Sequence, residues 1–241
     1  MLNNNLVLDG QPIDNGAIMT LVIALRTDEA IVLASDSQTT NIADGRIYED
    51  TPKLFSASDC VAIGISGSDQ FTQPVIDRVR HKATSKAEIA QIGDILREEA
   101  VKEHKRQCVL LREGARISAE FLLAGWVIPP NRTKKEPFIY LSGTANGFAL
   151  TECDFTPTAA LGNTAYCEVL LRRLFNSRGT IEDAQKLATL AILETPRVVN
   201  NVNDRIQMLV VREREVERIS SERIDELKAI AQRANWSRLL P

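Results

Sequence analysis

Residues 20–36, TLVIALRTDEAIVLASD, constrain the fold more than any other stretch. Two apolar runs, Leu21–Leu25 and Ala30–Leu33, flank a polar break, Arg26-Thr27-Asp28-Glu29. Runs this short, rich in Val, Ile and Leu and bounded by turn-forming residues, read as a buried hairpin of two strands. Their near-continuous apolar character fits a sheet buried on both faces, which needs a layer of structure over each. A threonine opens the first strand and an aspartate closes the second.

The rest of the chain supplies those layers. Ser37–Asp50 reads as a polar loop with a turn at Asp44-Gly45. Lys53–Phe55 and Cys60–Ser66 read as a second pair of short strands, the latter ending in the small-residue turn Ser66-Gly67-Ser68. The period then changes: Phe71, Val75, Ile76 and Val79 fit a helix. Ser85-Lys86-Ala87-Glu88 has the pattern of a capping box and predicts the start of a long helix carrying Ile89, Ile92, Ile95, Leu96 and Val109. Ile117–Val127 reads as a strand, and Pro129–Glu136 as a basic loop. Phe138–Leu141 and Gly147–Thr151 resemble a hairpin. Leu161-Gly162-Asn163 leads into a helix over Thr164–Phe175, and Thr180 caps another that ends at Glu194, before Pro196. Ile206–Val211 and Val216–Ile219 read as strands. Ser220 or Ser221 opens a last amphipathic helix with Ile224, Leu227, Ile230 and Ala231 on one face. Strands, two helices, strands, two helices, strands and a helix predict an α+β fold, two packed antiparallel sheets with helices outside.

At 241 residues the chain can bury one sizeable core, and no linker divides it. A formal net charge of -3 gives no argument for nucleic acid or an anionic membrane surface. The apolar runs fall well short of the roughly 20 residues that span a bilayer. There is no GxGxxG, P-loop or aromatic-basic patch. The four cysteines, Cys60, Cys108, Cys153 and Cys167, lack CxxC spacing, which argues against zinc and for a reducing compartment, so a cytoplasmic location without metal or cofactor is expected. The two histidines, His81 and His104, lie in charged, helical surroundings that suit a solvated face better than a catalytic triad. Residues 1–18, with three successive asparagines and two Asx-Gly turns, read as a leader or an upstream extension, leaving residues 19–241 as one domain.

Thr20 is followed 16 positions later by Asp36, 17 further on by Lys53 and 14 beyond that by Gly67. This pattern resembles the β-type subunits of the proteasome and their bacterial relatives, HslV and the Anbu-type proteins, among the N-terminal-nucleophile hydrolases. The family's spacing from the aspartate to the lysine is one residue shorter, which a one-residue loop insertion explains. The resemblance runs from residue 20 to the region of residue 225 and implies a four-layer αββα sandwich. It implies a processed N-terminal Thr20 as nucleophile, its own α-amino group taking the proton. Lys53 would keep that amine neutral and polarise the threonine oxygen, Asp36 would hold Lys53, and the Gly67 amide would stabilise an oxyanion. Asn163 aligns with the family's auxiliary serine, and Asp204 is the one acid near the place of its auxiliary aspartate. Thr39, Phe55 and Ile65 line the first specificity pocket in the family's register. The resemblance further implies a peptide or unfolded-protein substrate, a homo-oligomeric ring or spiral, and an ATPase as a candidate partner.

Each residue also has a plain structural reading: Thr20 as a strand start, Asp36-Ser37 as a turn, Lys53 as a surface lysine, Ser66-Gly67-Ser68 as a tight turn. Phe55 and Ile65 equally suit a core. Met19 stands where self-cleaving relatives have glycine, so removal of an initiator methionine at Met19 is the expected route to a free Thr20. The competing expectation is a non-catalytic structural subunit that keeps its leader. A reading with Cys60 as nucleophile lacks a processing signal before it.

Overall fold

The hairpin forms as β1 (Leu21–Arg26) and β2 (Ile31–Ser35), every residue of both buried except Arg26. Its turn is closed by Thr27, whose hydroxyl accepts from the Ala30 N–H at 3.1 Å and donates to the Ala30 carbonyl at 3.0 Å. The computed structural model describes residues 20–40, 47–110, 117–153, 156–162, 164–198 and 202–233. Among them the chain continues through β3 (Thr39–Thr40), β4 (Ile47–Tyr48), β5 (Leu54–Ser56), β6 (Ala62–Gly67), α1 (Asp69–Lys82), α2 (Ile89–Leu110), β7 (Ala119–Val127), β8 (Glu136–Gly143), β9 (Thr151–Glu152) and β10 (Thr158–Gly162). It ends with α3 (Ala165–Leu174), α4 (Ile181–Glu194), β11 (Gln207–Arg212), β12 (Glu215–Arg218) and α5 (Ser221–Arg233).

Two antiparallel sheets result, ordered β10-β1-β2-β11-β12 and β5-β6-β7-β8-β9, with β3-β4 a small separate pair. Strand alternation sorts the side chains into layers. In the first sheet Leu21, Ile23, Leu25, Val32, Met208 and Val210 pack under α3, α4 and α5. Their neighbours Val22, Ala24, Leu33, Leu209 and Val211 face the second sheet, meeting Leu54, Leu122, Ala124 and Trp126. The other side of the second sheet, with Ile63, Ile65, Phe121 and Leu123, packs under α1 and α2. The architecture is the expected α-β-β-α sandwich. Each large aliphatic side chain in these layers contributes roughly 1.5–3 kcal/mol by leaving water. Gly64 lets the sheets approach, since a Cβ there would lie 2.6 Å from Val22 Cγ1.

Several details differ from the expectations. The long helix starts at Ile89, not at Ser85: Ser85 and Lys86 form a turn, and the Ser85 carbonyl accepts from the Asp59 N–H at 2.8 Å. The Ser37–Asp50 loop contains the β3-β4 pair, and Leu161 and Gly162, expected only to lead into the helix over Thr164–Phe175, end the strand β10. Val109 and Ile230 point outward, at 84% and 38% exposure. The Thr180 cap is present as a capping box with Asp183. No helix among the described residues is long and apolar enough to cross a membrane. Residues 1–19 and Asn163 lie outside the described residues.

Candidate active site

The structure joins Asp36 and Lys53 directly and ties both to the residue after Thr20. Asp36 follows β2 and is completely buried; Lys53 precedes β5 and is 2% exposed. Lys53 Nζ donates to Asp36 Oδ1 at 2.9 Å, and the N–H of Leu21, the residue after Thr20, donates to the same oxygen at 2.9 Å. Oδ2 accepts from the Gln38 N–H at 3.0 Å. Lys53 Nζ also donates to the Gln38 carbonyl. One carboxylate therefore joins the start of β1, the end of β2 and the lysine from the other sheet. Burial pushes the Asp36 carboxyl up and the Lys53 ammonium down, and the opposite charge of each pulls the other back. The plain reading of Lys53 as a surface lysine does not hold, since a buried ammonium requires such partners.

Thr20 is buried beside β10, where Gly162 pairs with Leu21. Gly162 has φ +85, and a Cβ on it would sit 1.8 Å from the Thr20 carbonyl oxygen. The Gly162 N–H donates to the carboxylate of half-buried Glu120 on β7, whose acidity burial weakens. Gly67 ends β6 with φ +107, and a Cβ there would come 2.2 Å from the Ser118 carbonyl. Both positions thus need glycine twice over, for conformation and for space.

The direction of the Gly67 N–H follows from the ladder. The Ser68 N–H donates to the Ser118 carbonyl at 3.0 Å, whereas the Ile65 N–H donates the opposite way, to the Lys53 carbonyl at 3.0 Å. Donors alternate sides along a strand, so Gly67 points its N–H to the Lys53 side, beyond the end of β5.

Of the expected pocket residues, Thr39 is hydrogen-bonded to Asp69, the first residue of α1, where burial raises the carboxyl and the Thr39 bond and the Lys53 charge oppose it. Ile65 is buried in the core under α1 and α2, and half-buried Phe55 packs against that core. Cys60 is buried by the turn at Ala87, with Sγ 3.7 Å from the Ala87 carbonyl. Asp204 is exposed. Its neighbour Asn203 accepts from the Ser37 N–H at 3.1 Å, and Arg205 pairs with Asp50 at 2.7 Å.

Asp69, Glu120, Asn203 and Gln207 border this region without having been singled out in the sequence. Asp69 lies two residues beyond Gly67, a legible clue. Glu120 and Gln207 are brought in by cross-strand register, and Asn203 by the segment before β11. Among the described residues no group of three or more His, Cys, Asp or Glu could hold a metal ion.

Two five-stranded antiparallel sheets between helical layers, with a threonine-headed strand and a buried aspartate-lysine pair at one end, define a proteasome-like sandwich of the N-terminal-nucleophile hydrolase kind. The sequence profile of the proteasome subunit family matches residues 19–211, and the chain belongs to that family. Solved structures share the fold. The Anbu complex of Pseudomonas aeruginosa, described as a helical assembly, superposes with a TM-score of 0.72 at 21% identity, over 91% of this chain and 93% of that one. Anbu from Yersinia bercovieri, described as an ancestral β-subunit, gives 0.70 at 16% identity over 91% and 94%. A glycine variant of Anbu from Hyphomicrobium sp. strain MC1 gives 0.68 at 20% over 92% and 94%. No curated protein matches by sequence.

Proposed function

We propose that the chain is a threonine-type peptidase or amide hydrolase that uses Thr20 as nucleophile once its amine is free. The observation that carries this reading is the shared Asp36 oxygen, 2.9 Å from both the Leu21 N–H and Lys53 Nζ. A strand start would need no buried cation, and burying one costs several kcal/mol unless its partners are well placed. In the proposed reaction the Thr20 hydroxyl attacks a carbonyl and the α-amino group takes its proton, directly or through water. An α-amino group titrates near pH 7.7–8.0 (approximate unperturbed value), and the neighbouring ammonium shifts it towards the neutral, basic form. Lys53 also polarises the hydroxyl oxygen, Asp36 holds Lys53, and the Gly67 N–H receives the developing oxyanion. Asn163 is the proposed auxiliary group near the amine, and Thr39, Phe55 and Ile65 the proposed first specificity pocket.

The substrate is a peptide or unfolded protein, and the protein works as a homo-oligomeric ring or spiral, with an ATPase as candidate partner. The αββα fold and the helical assembly described for the Anbu complex of Pseudomonas aeruginosa support the oligomer. A cytoplasmic location fits the four scattered cysteines, which lack CxxC spacing.

The test starts with the N-terminal sequence and intact mass of the protein purified from its own cell. A chain starting at Thr20, active on fluorogenic peptides and inactive as Thr20→Ala, supports the proposal. A chain that retains Met19 has an acylated Thr20 nitrogen, which cannot act as base, and the structural-subunit reading replaces the enzyme. Light scattering and electron microscopy of the same material decide the oligomer.

A further inference from the structure

We infer that Gln207 is a positioning residue for Lys53, a tie between the sheet that carries Thr20 and Asp36 and the segment of the other sheet that carries the lysine. The inference rests on the hydrolase reading. Gln207 opens β11, and alternation with Leu209 and Val211 directs it to the space between the sheets. Its Oε1 accepts from the Lys53 N–H at 3.1 Å, and its Nε2 donates to the Thr51 carbonyl at 2.8 Å. Using both ends fixes the amide's orientation, because a flip would oppose donor to donor and acceptor to acceptor.

The backbone of Gln207 pairs with Ser35 on β2, the residue before Asp36. One side chain therefore reaches from the immediate neighbour of Asp36 to the backbone of Lys53. On its other side Lys53 is held through its carbonyl by the Ile65 N–H at 3.0 Å. A lysine stem is flexible, so the position of its backbone decides whether the ammonium stays within 2.9 Å of Asp36. The neighbouring ties hold other groups, Arg218 the Leu54 carbonyl at 2.9 Å and Asn203 the Ser37 N–H at 3.1 Å, whereas Gln207 takes the Lys53 N–H itself. The merely structural alternative is that Gln207 satisfies a strand end with no consequence for the ammonium.

Two variants separate these. Gln207→Met keeps the length and loses both hydrogen bonds; Gln207→Glu keeps an acceptor for the Lys53 N–H. For each, in protein starting at Thr20, peptide kcat and KM are measured together with hydrogen exchange at the Lys53 amide. The expected result for Gln207→Met is a kcat lower by roughly 10- to 100-fold, KM within about twofold, and faster exchange at Lys53. Gln207→Glu recovers part of both. Unchanged exchange at Lys53 overturns the tie, and faster exchange with unchanged kcat reduces it to structure. If the wild-type protein cleaves no peptide, the hydrolase reading fails on its own evidence and Gln207 is at most a structural tie.

Discussion

Asp36 accepts three hydrogen bonds on two oxygens with no exposed surface, and one of the three donors is the only fully buried lysine among the described residues. Removing either member of such a pair strands the other charge, which costs about 3–5 kcal/mol. Asp36→Ala should therefore destabilise by that amount in urea titrations, and so should Lys53→Met. The double variant should lose much less than the sum, and an additive result would show that the pair is not coupled. Glycine makes a second argument at this scale. Gly162→Ala would put a methyl 1.8 Å from the Thr20 carbonyl at φ +85, so it should cost at least about 1–3 kcal/mol and displace Thr20, read as a lower unfolding midpoint and, under the proposed hydrolase function, slower peptide cleavage. The spacing of Thr20, Asp36, Lys53 and Gly67 made this group legible in the sequence because each residue lies at a strand end. Gln207 and Glu120 were not legible: a lone polar residue in a strand carries no sign of which opposite-sheet backbone it will meet.

Helix α1 contains Pro74, which cannot donate to the carbonyl four residues back, that of Gln70. Gln107 on α2 supplies the missing donor, its Nε2 lying 2.9 Å from the Gln70 oxygen. Gln107→Ala should cost about 0.5–1.5 kcal/mol, and the loss should shrink when Pro74→Ala restores the helix's own donor. The same two helices enclose Glu99 and Glu103, which are buried yet paired with Arg78, Lys82 and Arg106. Burial pushes the Glu103 carboxyl up, but hydrogen bonds from Arg106, Gln107 and Arg78 outweigh it and hold it at about 2. A depressed carboxyl stabilises above its unfolded value, near pH 4.5, and that stability is lost as pH falls towards 2. The loss is at most on the order of 3 kcal/mol, reduced by solvent around the part-exposed arginines. Urea midpoints should therefore fall between about pH 4.5 and 2, and Glu103→Gln should be less stable near neutrality with a flatter acid slope. Periodicity disclosed α1 and α5, whose buried residues recur at helical spacing, and the Thr180 cap and Pro196 bounded α4. The strand β10, TAALG, was missed because small residues in a short strand look like a helix lead-in, and the capping pattern at Ser85 placed the start of α2 too early because such a pattern without its helix also forms a turn.

The candidate site depends on two sheets meeting at a particular separation: Thr20 and Asp36 come from one, Lys53 and Gly67 from the other. That separation depends on what lies between them, and at Gly64 nothing does, since Val22 Cγ1 occupies the place of a Cβ at 2.6 Å. Val22 is two residues from Thr20, and Gly64 is paired with Leu54, next to Lys53. Gly64→Ala should therefore push the sheets apart at the end that holds the Asp36–Lys53 contact. Overpacking of this kind costs about 1–3 kcal/mol. Val22→Ala alone removes two methyls from the same layer and should also destabilise, by roughly 1–3 kcal/mol for the lost burial and the cavity. Combined, the new methyl of residue 64 enters the space that Val22 vacates, so the double variant should be more stable than the sum of the single losses predicts. A crystal structure or hydrogen exchange at Lys53 would show whether the lysine returns to Asp36 in the double variant. Additive losses would mean that the sheets do not transmit their spacing to the site, and the geometry of Asp36 and Lys53 would then be set by the local ties alone.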